Sequence, residues 1–197
     1  MEKRRDELGE LPFSEAIWEL GEGEIVRPIY TVPLHEYRLW RYCEAFGLVS
    51  YLPLKRCWVV SNRTYKGRQY VYRKAVLRPM FPSYIFVKMT EEQRSLLFKS
   101  SSFARLLQVG NEGRFLDELK TIRQIELIGR TEELEFNEEI AVGERFLIES
   151  GPWEGVYGRL EEKRQQFNWA VEIECVSGII RANIDPSLYK LTRVEGD

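Results

Sequence analysis

The chain has 197 residues, 44% hydrophobic and 30% charged, with a formal net charge of −2, which is room for one large domain or two small ones around ordinary cores. No apolar run reaches the roughly eighteen residues of a membrane span. Three scattered cysteines (Cys43, Cys57, Cys175) make no disulfide framework, and His35 as the single histidine leaves no metal-ligand spacing, so neither a metal nor a cofactor is expected.

Residues 1–24 are polar, with basic residues near the start but without the apolar centre of a secretory signal. They read as an N-terminal extension with a short helix in "FSEAIWEL". Together with the cysteine usage, this points to a cytoplasmic chain. "PIYTV" reads as a first strand. Pro28 within it suggests an edge strand or a late start. "LHEYRLWRYCEAFG" reads as a helix with Leu39, Cys43 and Phe46 on one stripe and Gly47 as its stop.

"VSYLPLKRCWVVSNRTY" and "RQYVYRKAVL" are strand-like, and Lys66-Gly67 between them marks a hairpin tip. "RPMFPSYIFVKM" follows. Pro79 and Pro82 hold Arg78 and Phe81 extended, and Tyr84-Ile85-Phe86-Val87 has the composition of a buried strand. On this pattern alone, Phe81 is a core residue beside an edge turn.

"TEEQRSLLFK" opens with a Thr cap and two glutamates, which suit the N-terminal end of a helix dipole. "ARLLQV" is a short strand ended by Gly110. "LDELKTIRQIEL" is a helix with Leu119, Ile122 and Ile125 at helical spacing. The order is that of an α+β domain over residues 25–128: an antiparallel sheet with flanking helices, covered on one side. Residues 129–139 are acidic and read as a linker. From residue 140 to 197, "ERFLIE", "VYGRLEEK", "WAVEIECV" and "GIIRANI" are short alternating strands. They read as a small SH3-like β-barrel, with Gly151, Gly155 and Gly158 at positive-φ or close-packed positions.

Charge is divided along the chain. Residues 45–90 hold nine basic residues and no acidic one, whereas 111–197 hold nineteen acidic and eleven basic. An acid-free stretch of this length points to an anionic partner, nucleic acid first.

Two of these motifs together resemble the NusG family of transcription elongation factors, over roughly residues 26–193. "RPMFPSYIFVKM" is similar to the family's Pro-Leu-Phe-Pro-x-Tyr-x-Phe-Val, and "PLHEYR" to its "PRQEKR". "VGERFLIESGPWEGVYGRL" resembles a KOW module. Within the family the chain looks like the specialised, RfaH-like antiterminator paralogues.

The resemblance implies an N-terminal (NGN) domain that grips the clamp helices of RNA polymerase and suppresses pausing or termination. It places Tyr30, Phe81 and Tyr84 at aromatic polymerase contacts and Arg38 at a polar one. Such a Pro-bracketed turn presents aromatic anchors already organised for binding. Arg63, Lys66, Arg68, Arg73 and Lys74 are expected to neutralise phosphates of upstream or non-template DNA without reading sequence. Arg94, Ser95 and Lys99 match the DNA-contacting loop of RfaH-like proteins, whose His-Thr-Thr stretch is absent.

In the KOW module, Trp153, Val156, Cys175 and Val176 fall on the patch that docks a ribosomal protein or the termination factor Rho. Rho is the less expected, since Gly178 stands where an Arg would. A stable barrel without refolding, a monomer, and no membrane partner are expected. The alternative is an RNA- or ribosome-binding KOW protein without polymerase contact. Catalysis is not expected, because His35 and Glu36 are adjacent on a helix and no nucleophile–base pair or phosphate loop is present.

Overall fold

The computed structural model describes residues 11–137, 143–163 and 166–194. Its first unit is built on a four-stranded antiparallel sheet in the order β2-β5-β1-β6. The strands are β1 (Ile25–Thr31), β2 (Ser50–Tyr51), β5 (Tyr84–Met89) and β6 (Phe103–Leu106).

Helices cover both faces rather than one. Ile85, Val87 and Met89 share a core with Leu39, Trp40 and Cys43 of α1 (Glu36–Ala45) and Leu97 of α2 (Glu91–Phe98). The alternate residue Phe86 and Val26 of β1 pack with Phe115, Leu119, Ile122 and Ile125 of α3 (Glu112–Ile128). β5 is apolar on both sides, so each side needs a cover. The Thr90 cap forms a reciprocal capping box with Gln93. Gly47, at φ 69°, ends the turn after α1. Phe46, read as part of the α1 core stripe, is instead exposed at the helix end.

Pro28 does not mark an edge. β1 is central, paired to β5 along its length and to β6 through Ile29, Tyr30 and Thr31. The Pro28 carbonyl accepts from Leu107 N. Its missing N–H faces the same side, where the β6 ladder has already ended, so no ladder bond is lost.

β3 (Leu54–Tyr65) and β4 (Arg68–Pro79) form a separate two-stranded ribbon. Lys66 and Gly67, at φ 49° and 77°, close it with the doubly left-handed turn that matches strand twist. Glu126 of α3 pins the root. Its carboxylate accepts from Leu54 N at 3.0 Å and from the Tyr51 hydroxyl at 2.9 Å. Burial first, then the Glu126 charge, push the Tyr51 hydroxyl well above the usual phenol range.

The extension is docked where it is described. Ile17 is fully buried, and Phe13 and Trp18 pack their rings on Tyr51.

The C-terminal strands are β7 (Leu134–Asn137), β8 (Glu144–Ile148), β9 (Tyr157–Lys163), β10 (Gln166–Ile173), β11 (Gly178–Ile184) and β12 (Leu191–Arg193). They pair in the order β12-β8-β9-β10-β11-β7. Among the described residues this sheet does not close, which corrects the expected barrel. β7, from the segment read as a linker, occupies the outer edge of β11 that a closing strand would use. Leu134 and Phe136 alternate with Glu135 and Asn137, a strand pattern four residues long. Positions 138 and 139 of the expected linker lie outside the described residues. A Cβ on Gly158 would stand 2.7 Å from Trp169 Cε2, so β9 approaches the Trp ring at a distance only glycine allows.

The two units share one apolar cluster, which runs from Phe86 and α3 to Trp153 and Trp169. Gln124 donates to the carbonyls of Pro152 and Glu154, and Cys175 N donates to Glu118.

Candidate functional site

The Phe-Pro turn leads out of β4 into β5. Ser83 stands at φ 66°, a left-handed position costly for a residue with a Cβ. Two contacts hold it there. Ser83 N donates to Glu36 Oε1 at 2.6 Å, and the Ser83 carbonyl accepts from Thr31 N at 2.8 Å. Glu36 is buried on the first turn of α1. It therefore positions the turn, and nothing in its local sequence announces that role.

The turn sends its two rings to different places. Phe81 is 1% exposed, edge-on to Phe86 at 6.4 Å and to Phe136 of β7 at 5.1 Å. Tyr84 is half-buried, edge-on to Tyr30 at 5.2 Å. The guanidinium of Arg105 lies 5.7 Å from the Tyr30 ring centroid. These three side chains sit on adjacent strands because Tyr30 pairs with Tyr84 on one side and with Arg105 on the other. The Arg105–Tyr30 contact is a cation–π pair. Arg105 and Phe136 were not singled out from the sequence, since only the strand registers bring them to the site.

Arg38 is elsewhere. It lines a cavity of about 370 Å³ with Arg41, Tyr42, Lys99 and Ser100–Ser102, between α1 and the segment after α2. Two residues assigned to different partners, Arg38 and Lys99, thus share one basic concavity. Arg94 is engaged within its own helix, paired to Glu91 at 3.0 Å and 5.4 Å over the Phe98 ring. Ser95 donates to the Glu92 carbonyl.

The hairpin register divides its cations. Arg63, opposite Tyr70, and Arg68, opposite Tyr65, share a face with Lys74, opposite Val59. Arg73 pairs with Val60 on the other face, and Lys66 occupies the turn, 5.5 Å over the Tyr65 ring. Directly opposed residues share a face, and the face alternates every residue.

The C-terminal patch is turned inward. Trp153, Val156 and Val176 are buried, and Cys175 is half-buried. Trp153 Nε1 donates to Glu132 at 3.3 Å. The patch therefore lies against α3 and the segment after it, where Gln124 and Glu118 bond the backbone on either side.

Among the described residues no group of His, Cys, Asp and Glu is arranged to hold a metal ion, and no helix is long and apolar enough to cross a membrane. The Cys43 thiol is pushed up to about 12 by burial.

Comparison with curated proteins gives no match. A family described as transcription termination factor NusG matches residues 28–126, which hold most of β1 and α3, all of α1 and α2, the hairpin, the Phe-Pro turn and the Tyr30–Tyr84–Arg105 patch. Proteins of this family are non-enzymatic transcription factors that generally interact with RNA polymerase. With half of its length matched, the chain belongs to the NusG family.

Proposed function

We propose that the chain is a transcription elongation and antitermination factor of the specialised, RfaH-like kind. Residues 25–128 act as an NGN domain that binds the clamp helices of RNA polymerase, residues 129–139 connect it to a KOW-type module, and that module spans 140–197. The observation that carries this reading is the Tyr30–Tyr84–Arg105 patch at the mouth of the Phe-Pro turn, inside the segment that matches the family. Two half-exposed rings and a guanidinium on rigid strands have the composition of an interface hot spot.

Phe81 completes the anchor only when β7 withdraws, because Phe136 covers it. Withdrawal of the C-terminal sheet from α3 likewise frees Trp153, Val156, Cys175 and Val176 for a second protein, with a ribosomal protein ahead of Rho. Beside the polymerase, the hairpin cations neutralise DNA phosphates, and the Arg38–Lys99 concavity adds to that field. The factor acts as a monomer in the cytoplasm, alongside its polymerase.

The test is elongation by the cognate polymerase on a template with a defined pause. The full chain shortens the pause, and the Tyr30→Ala/Tyr84→Ala variant does not. A variant as active as the wild type would refute the assignment.

A further inference from the structure

The β3–β4 ribbon has two chemically different faces, which its register defines. One face carries Tyr65 opposite Arg68, Arg63 opposite Tyr70, and Ser61 opposite Tyr72. The other carries Trp58, Val60 opposite Arg73, Val71, Asn62, Thr64 and Gln69. The three tyrosines are 55%, 49% and 44% exposed in chain order, although large rings are normally buried more deeply. They sit in the segment 45–90, which contains no acidic residue.

We propose that the Tyr65–Tyr70–Tyr72 face of the hairpin is a stacking platform for single-stranded DNA. This deepens the reading that the hairpin lies against DNA, and rests on it. Side chains two residues apart on one strand face stand about 6.6 Å apart. That is close to twice the roughly 3.4 Å spacing of bases along a strand, so one base fits between the rings of Tyr70 and Tyr72. Arg63 lies across from Tyr70 and Arg68 across from Tyr65, which puts a guanidinium beside each of these rings for the flanking phosphates.

A duplex offers such rings nothing, because its bases are already stacked and its phosphates need cations alone.

The test uses the full chain and fluorescein-labelled oligonucleotides of one sequence, as single-stranded DNA, duplex DNA and single-stranded RNA, read by anisotropy. Single-stranded DNA binds most tightly. Tyr70→Ala/Tyr72→Ala weakens it by at least about fivefold per ring and leaves duplex binding unchanged. Tyr70→Phe/Tyr72→Phe, which keeps both rings, binds as the wild type does. If the alanine pair binds like the wild type while Arg63→Ala/Arg68→Ala is weakened, the platform is overturned and the phosphate contacts stand. Tighter binding of the RNA overturns the assignment to DNA. Absence of binding to every probe overturns both the platform and the phosphate role, and leaves polymerase contact to the elongation assay.

Discussion

Glu36 offers the sharpest structural test of how the Phe-Pro turn is held. Glu36→Ala removes the acceptor for a buried backbone N–H, that of Ser83, bound at 2.6 Å. A buried donor left without a partner costs about 1–3 kcal/mol, and more when the lost acceptor is charged. The left-handed Ser83 adds about 1–2 kcal/mol of conformational cost that the Glu36 bond now offsets. The expected loss is about 2–3 kcal/mol, read as a lower urea midpoint at unchanged slope. Glu36→Gln keeps a carbonyl acceptor and loses only the charge assistance, about 1 kcal/mol. In native buffer Glu36→Ala also weakens polymerase binding, because Tyr84 follows Ser83 directly and loses its fixed approach to Tyr30. Wild-type stability in Glu36→Ala would refute the claim that this carboxylate holds the turn.

Phe136→Ala takes the cover off Phe81. Phe136 is only partly buried, so the loss falls below the 3–5 kcal/mol typical of a core Phe, at about 2 kcal/mol. Polymerase retention rises as the closed arrangement loses that stabilisation, and retention equal to wild type would show that β7 does not mask the anchor. Charge reversal at Lys66 and Arg68 lowers retention on elongation complexes and flattens its dependence on salt; an unchanged salt slope removes the hairpin tip from the DNA contact. Cys43, with its thiol pushed up to about 12, stays unlabelled by a disulfide reagent in the native protein and reacts after urea unfolding. Native labelling at the unfolded rate would mean that the α1 core is open.

The parts of the fold legible in the sequence are those set by local chemistry. Lys66-Gly67 marked a hairpin tip, Thr90 a helix cap, and Leu119, Ile122 and Ile125 a helix stripe, and each stands as read. What escaped depends on register and tertiary contact. β7 shows only two apolar residues among glutamates, and its strand character comes from pairing with β11. Pro28 tolerates a central strand because of where β6 ends, a fact held by a segment about 75 residues away. The expected polymerase residues separated for the same reason. Tyr30 and Tyr84 meet across a ladder, while Arg38, on a helix, turns toward Lys99.

On the function proposed above, the sheet end formed by Tyr30, Tyr84 and Arg105 binds RNA polymerase. The most direct test is retention of the full chain on immobilised core polymerase, comparing wild type, Tyr30→Ala/Tyr84→Ala and Phe136→Ala. Retention is lost in the first variant and gained in the second, and circular dichroism is native for all three. Undiminished retention of the natively folded Tyr30→Ala/Tyr84→Ala chain would contradict it.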